Sequence, residues 1–477
     1  MRARRLLHSE PAPASRAGPA QVLALAWPLM ISMLSQTAMS MADVLYVSRL
    51  GTTPLAGIGL GSVAGFLLLS AGFGLTGGVR VLVAQATGAG RHRQARVLAW
   101  QGLWLALVLG LVGLVLAPAA HLLIRGFGAS PEVSEQGARY LAWGLGGAGA
   151  TLATLALTSW FQGRGDTRTP MVVAVLSNLL NIAMDPVLIF GLGPVPALGI
   201  DGAAASTVLA QVLSALALAA LVRRHLRGSS PWPRRDLLRR ALQVGAPMAI
   251  NGVLSVAGFA VFVGVLARAG DAHLGAHVIV MRIVSLSFLP GHAVGEAAGV
   301  LVGQALGARR PRLARQAFGS AVRVALAIMG TMSVVFLVAP RPLVAAFHPA
   351  PEVMHIALQL MVVGAAFQVF DAVAMVAQGT LNGAGDTRYT LLVGVGAMWL
   401  VDLPLGWLLA LHLHLGALGA WLALTAEILT YASLTVWRVR RLAWLRQGLS
   451  RAAQDAAASA HSDPEHSDPE GAVPMPA

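Results

Sequence analysis

The sequence predicts an all-α membrane protein: twelve transmembrane helices in two six-helix lobes related by an internal parallel repeat. Three observations predict it. The 477 residues are 56% hydrophobic and only 11% charged, with a mean hydropathy of +0.70, which lies outside the range of soluble domains. Apolar stretches of helix-spanning length recur from Val22 to Val436, each long enough to cross a hydrocarbon core about 30 Å thick. Finally, motifs of the first half return in the second at a nearly constant offset.

Taken in order, the spans are expected near residues 22–46, 54–78, 97–122, 138–161, 169–192 and 198–222, then 241–266, 273–303, 316–339, 353–378, 389–411 and 416–437. This divides the chain into an N-terminal segment (1–21), an N-lobe (22–222), a basic linker (223–240), a C-lobe (241–438) and a tail (439–477). The first residues carry Arg2, Arg4 and Arg5, but residues 6–19 mix His, Glu, Ser and Pro, so no signal peptide is expected. The tail is Ala-rich, then acidic, with HSDPE written twice at 461–465 and 466–470; it reads as disordered. With no Cys in the chain, disulfides and thiolate metal sites are excluded.

The formal charge of +14 does not point to nucleic acid, because the basic residues sit between spans. There is no Lys; all 34 are Arg, and most fall in the termini and in the loops that follow even-numbered spans. The positive-inside rule then places both termini and the Arg223 to Arg240 linker in the cytoplasm. The expected setting is the lipid bilayer of an inner membrane, crossed many times by a monomer.

The repeat is specific. Pro28, Gln85, Gly88 and Arg96 return as Pro247, Gln304, Gly307 and Arg315 at an offset of 219; GRGDTR at 163–168 returns as GAGDTR at 383–388; Asp185, Gly199 and Gly202 return as Asp402, Gly416 and Gly419 at 217. Six spans per copy is an even number, so both copies enter from one side. Parallel repeats of this kind characterise transporters whose substrate path runs between rocking lobes.

Ionisable groups inside a span are costly and so are candidate functional residues. Ser32, Gln36, Ser40 and Asp43 share one face of the first span at helical spacing, and Asn181 and Asp185 share a face of the fifth with Asn178 close by. At about 1.5 Å per residue, Asp43 and Asp185 reach similar depth in the outer half of the N-lobe. Two carboxylates meeting at low dielectric cannot both ionise cheaply, so one would carry a proton; Na⁺ is the alternative occupant, suited to hard oxygen ligands. Asp371, in the tenth span, has no second acid near it in sequence, and Asp402 has Met398 where Asp185 has Asn181. Glu296, read as close to Arg282, is expected to form a buried interhelical pair, Arg80 to snorkel to the interface, and Asp166 and Asp386 to cap the helices that follow them. Glu427 has no evident partner. His277 and His292 read as hydrogen-bonding residues.

These residues carry a resemblance to the multidrug and toxic compound extrusion (MATE) family over residues 22–438. The matching segments are LAWPLMISMLSQTAMSMADVLYVSRLG, VAQATGAG, FQGRGDTRTP, LGIDGAAAST, LVGQALGAR and FDAVAMVAQGTLNGAGDTR. The resemblance implies export of amphipathic, often cationic organic compounds in exchange for H⁺ or Na⁺, with no cofactor beyond that ion. In the DinF-like branch it implies a cation site at Asp43, Asn181, Asp185 and Thr207, and a substrate cavity reached by Gln36. Ser40, Asn178 and Asp371 are further cavity candidates, and composition adds Met33, Met39 and Trp160. The Glu that the NorM-like branch carries in the seventh span is absent, since no acid lies between Val244 and Ala267, although Asp371 matches its tenth-span acid.

Two rivals remain at this level. A lipid-linked sugar flippase of the same superfamily would be expected to line its cavity with several Arg, and the first spans supply none at midplane. A membrane-embedded enzyme would need a nucleophile or metal constellation, and neither HExxH nor GxSxG occurs.

Overall fold

The computed structural model describes residues 17–192, 194–442 and 444–445. The expected N-terminal segment up to residue 16, and the acidic tail from residue 446 onward, lie outside them. Among the described residues every regular element is helical. Among these residues eleven helices are long and apolar enough to cross a membrane, and a bent pair, taken as one span, brings the number to twelve.

The N-lobe spans are Pro19–Ser48, Thr52–Gly88, His92–Leu116, the pair Pro131–Gly146 and Ala148–Gly163, Arg168–Phe190 and Ile200–Arg223. The third continues through a 3₁₀ turn at Ala117–Ala119 into Ala120–Arg125, a break placed by Pro118, which has no N–H to donate. The fourth bends by 51° between its two segments. In the C-lobe the spans are Arg235–Ala269, Asp271–Gly307, Pro311–Val338, Pro351–Gly383, Thr387–His412 and Gly416–Arg440. The eleventh carries π-helical turns at Ala397–Asp402 and Leu408–His412, on either side of Pro404. Such turns appear where a proline or a functional group disturbs the α ladder.

The two GxGDTR motifs form tight turns at one end of the molecule. Gly165 and Gly385 sit at φ +88° and +80°, a left-handed conformation that glycine adopts without a Cβ penalty. Asp166 caps the fifth helix as expected, accepting from Thr169 N at 3.0 Å and Thr169 Oγ1 at 2.7 Å. Asp386 departs from that expectation. It makes no capping bond and its carboxylate accepts from Arg438 Nε of the twelfth span at 2.9 Å, because Arg438 offers a charge that its repeat mate lacks.

The lobes meet at this turn end. Gln85 Nε2 donates to the Gly383 carbonyl and, in mirror fashion, Gln304 Nε2 donates to the Gly163 carbonyl, both at 3.0 Å. The glycine repeat mates make this approach feasible: a Cβ on Gly88 would stand 1.9 Å from Gln304 O, and one on Gly307 2.0 Å from Gln85 O. Nearer the membrane centre, Gly74 and Gly78 of the second span press on the backbone of Ala249, Gly245 and Ala241 in the seventh.

The first and seventh spans each cross between lobes. Val22 and Ala26 pack into an apolar cluster of the C-lobe with Val294, Ala298, Ala377 and Leu381, whereas Val47 packs with Ile189 and Ile200 of the N-lobe. The seventh mirrors this: Ala241 and Val244 join Val79, Val83 and Leu98 of the N-lobe, and Phe262 and Leu266 join the C-lobe. Pro28 and Pro247 lie inside these helices near the crossing. The chain between lobes is strapped to the third span: Trp104 Nε1 donates to Pro231 O at 2.8 Å, Trp100 Nε1 to Ser229 Oγ at 3.2 Å, and Arg234 N to Gln101 Oε1 at 2.8 Å.

Candidate functional site

The N-lobe carboxylates meet. Asp43 from the first span and Asp185 from the fifth are both buried, and their side chains face each other at hydrogen-bonding range. Asn181, one turn before Asp185, is fully buried and donates from Nδ2 to Ser206 Oγ at 3.2 Å and Thr207 Oγ1 at 3.4 Å. Asp43, Asn181 and Asp185, which depth counting and i, i+4 spacing place at one level, come together with Thr207.

Two further residues belong to this cluster. Ser206 Oγ makes a short hydrogen bond to Asp185 Oδ1 and also lies 2.8 Å from Ala203 O. A hydroxyl has one proton to give. If Asp185 is ionised, Ser206 donates to it; if Asp185 is protonated, it donates to Ser206, which turns to Ala203. The serine therefore serves either protonation state. Tyr140, from the bent fourth span, neighbours Ser62 and Thr207 and lies in the field of both carboxylates. The motif GAAAST offers two adjacent hydroxyls, and spacing alone does not say which one faces Asp185. Tyr140 has no periodic signal, only its polarity in an apolar span.

Among the described residues, Asp43 Oδ1, Asp185 Oδ2 and Asn181 Oδ1 are buried with no donor outside the carboxyl pair itself. Buried polar oxygens left unpaired are costly. A monovalent cation would satisfy such oxygens together, and protons would satisfy the two carboxylates; the donor set of two carboxylates, one amide and neutral hydroxyls suits either.

The substrate-cavity candidates are dispersed. Gln36 and Ser40 are exposed, Met33 is half-buried, and Met39 is buried with its sulfur 3.9 Å from Gln36 Nε2. Asn178 is buried and donates to Ser35 Oγ at 2.8 Å, tying the fifth span to the first. Trp160 does not line a cavity. It is fully buried at the turn end, donating to Ala95 O at 2.7 Å, edge-on to Phe161 and beneath the Arg164 guanidinium; a large apolar ring in a packed core is the simpler outcome of its sequence position.

In the C-lobe the acids are less isolated than their sequence positions suggest. Asp371 and Asp402 are buried, and Glu427 lies in the field of both. Among the described residues, Asp371 Oδ2, both Asp402 oxygens and the Tyr431 hydroxyl are buried without hydrogen-bond partners, as is Nε2 of Gln368, whose Oε1 accepts from Ser287 at 3.1 Å. Among the described residues, no group of three His, Cys, Asp or Glu could hold a metal ion. His277 accepts from Trp421 Nε1 at 3.2 Å, a satisfied core histidine.

The interhelical pair of Glu296 forms with another partner than Arg282, and the expectation for Arg80 is corrected. Glu296 pairs with Arg80, at 2.7 Å, and not with Arg282; Arg282 is fourteen residues away on the same helix, about 21 Å along its axis. Arg80 accordingly does not snorkel. It is held between lobes, donating also to Gln162 Oε1 at 3.1 Å.

The MatE family model matches residues 28–187 and 247–408, one copy per lobe. Among curated proteins, a probable multidrug resistance protein NorM of Thermotoga maritima is 29% identical over 87% of this chain and 90% of its own. Proteins of the same printed name from Bradyrhizobium diazoefficiens and Burkholderia pseudomallei are 31% and 32% identical over 89% and 87% of this chain, and 93% and 91% of theirs. Among solved structures, a MOP superfamily transporter from Pyrococcus furiosus superposes with a TM-score of 0.83 at 24% identity, covering 94% of this chain and 99% of that one. An outward-facing multidrug resistance MATE transporter gives 0.81 at 25%, covering 93% and 98%.

Proposed function

Because this chain belongs to the MatE family of membrane transporters, we propose that it is a secondary multidrug exporter, moving amphipathic and often cationic organic compounds across an inner membrane in exchange for H⁺ or Na⁺. The observation that supports this reading is the convergence of Asp43 and Asp185 beside Asn181, with one buried oxygen of each lacking a further donor among the described residues. Such a cluster binds a small cation, and its binding energy differs between states in which the surrounding helices are packed differently. The N-lobe set, together with a seventh span that has no acid between Val244 and Ala267, supports the DinF-like mode of coupling, although the three relatives named above carry the NorM name.

The mechanism follows from the seam. With the lobes joined at the turn end through Gln85, Gln304 and the glycines, the path proposed between them would face the other side, and the arginine distribution supports that side as the exterior. Entry of the coupling cation at Asp43 and Asp185 repacks the first, fifth and sixth spans and weakens the substrate's hold on the exposed face near Gln36 and Ser40. Rocking about the crossing first and seventh spans then opens the turn end to the cytoplasm. The decisive experiment is uptake of a fluorescent organic cation into proteoliposomes under separately imposed pH and Na⁺ gradients. One gradient is expected to drive exchange; uptake indifferent to both would defeat the reading.

The topology is tested through the absence of Cys. A single cysteine at Ser230, an exposed linker position, is expected to react with an impermeant maleimide in inverted vesicles and stay unlabelled in intact cells. Labelling in intact cells would reverse the orientation.

For the C-lobe, Asp371→Asn is expected to lower transport of some substrates severalfold while gradient dependence persists, since Asp371 belongs to a different lobe from the Asp43 cluster. A variant that transports at the normal rate but ignores the gradient would move the coupling site to the C-lobe.

A further inference from the structure

The Arg80–Glu296 pair joins the lobes at a telling position. Arg80 precedes Gln85 by five residues and Glu296 precedes Gln304 by eight, so the pair lies about 8 to 12 Å from the glutamine contacts along the helices, toward the membrane centre. Gln85 is 3% exposed, whereas the side chains of Arg80 and Glu296 keep 17% and 18%. The pair is thus the charged floor above a sealed seam.

Each partner is fixed to its own lobe. A Cβ on Gly163 of the fourth span would stand 2.7 Å from Arg80 O, and Gln162 of the same span accepts from the guanidinium. On the other side, Gly295 and Gly299 press against the Met375 and Gly379 carbonyls of the tenth span, which locks the backbone around Glu296 into the C-lobe. When the lobes part at the turn end, the pair must break. Arg80 retains Gln162. Glu296 keeps, among the described residues, the neighbouring His292 one turn earlier on its own helix.

A carboxylate stripped of its partner within a membrane protein demands another cation. We propose that Glu296 is the cation-selecting residue of the transport path, paired with Arg80 while the turn end is closed and taken over by a positively charged organic substrate when the lobes part. This rests on the exporter reading above and adds to it a specific carboxylate and an internal competitor. Substrate and Arg80 contend for one anion, so a cationic substrate favours the open turn end and a neutral one does not.

The test uses Ala84, which is buried against Gly303 of the opposite lobe. In the otherwise cysteine-free protein, Ala84→Cys reports opening of the seam by its rate of reaction with a maleimide. Tetraphenylphosphonium is the cationic probe and triphenylphosphine oxide the neutral one. In the Ala84→Cys protein, the cation is expected to speed labelling and the neutral compound to leave it unchanged. Glu296→Gln should speed labelling without ligand by about tenfold, the equivalent of losing one partly exposed pair, and should abolish the response to the cation. Arg80→Gln should also speed labelling, yet tighten tetraphenylphosphonium binding, because it removes the competitor. Opposite effects of the two substitutions on cation affinity are the signature; a structural ion pair would move both the same way. Equal shifts, or a cation response that survives Glu296→Gln unchanged, would overturn the inference alone. A parent protein that ignores tetraphenylphosphonium altogether would overturn the exporter reading as well.

Discussion

Asp43→Asn is expected to abolish gradient-driven export in a protein that still folds and inserts. Asn keeps the shape of the side chain and cannot ionise beside the buried Asp185, so the change introduces no charge and leaves no cavity. What it removes is the ability to take up and release a cation with the transport cycle. The loss in exchange should exceed about a hundredfold, the equivalent of about 2.7 kcal/mol of coupling free energy, because an amide can neither take up a proton nor neutralise a bound cation. Asp185→Asn should act nearly as strongly. Ser206→Ala and Thr207→Ala each remove one neutral oxygen and should cost about tenfold or less, with Ser206 the more damaging since it touches Asp185 directly. The measurement is counterflow against exchange in the same proteoliposomes: a coupling defect spares substrate counterflow. Undiminished gradient-driven efflux in well-expressed Asp43→Asn would remove this cluster from the mechanism.

Gly88→Ala is expected to prevent the turn end from closing. Its Cβ would stand 1.9 Å from the Gln304 carbonyl oxygen and 2.6 Å from Gln304 Cα, backbone atoms that no rotamer change can move aside. Gly307→Ala meets Gln85 O at 2.0 Å and Ala89 N at 3.0 Å. Overpacking of this kind typically costs about 1–3 kcal/mol, here charged only against the closed state, so the equilibrium should shift by about tenfold or more toward an open seam. Transport should fall with it, and Ala84→Cys should label rapidly in either variant. Gly59→Ala on the same helix is the control, because its Cβ meets nothing within 4 Å. Slow labelling in Gly88→Ala would show that the seam tolerates a methyl group and that its closeness is not what gates the path.

Membership in a two-lobed, twelve-span architecture was determined by the sequence alone, since lipid imposes a length on each span and duplication leaves an offset that can be read directly. The N-lobe pair Asn181 and Asp185 was legible for the same reason that any amphipathic face is: one helical turn separates them. Asp43 joined them through depth counting, which works because rise per residue is fixed. Charge partners across the lobes were not legible. Glu296 has Arg282 on its own helix and His292 one turn away, and nothing in a linear pattern says that Arg80, 216 positions earlier, closes on it from the other lobe. The same holds for Trp160, whose ring could equally face a cavity or a core until Ala95, Phe161 and Arg164 surrounded it, and for Asp386, which Arg438 draws away from capping. Local spacing fixes what one helix presents on each face; which faces meet is set by how twelve helices pack, and there the first and seventh spans cross between lobes to decide it.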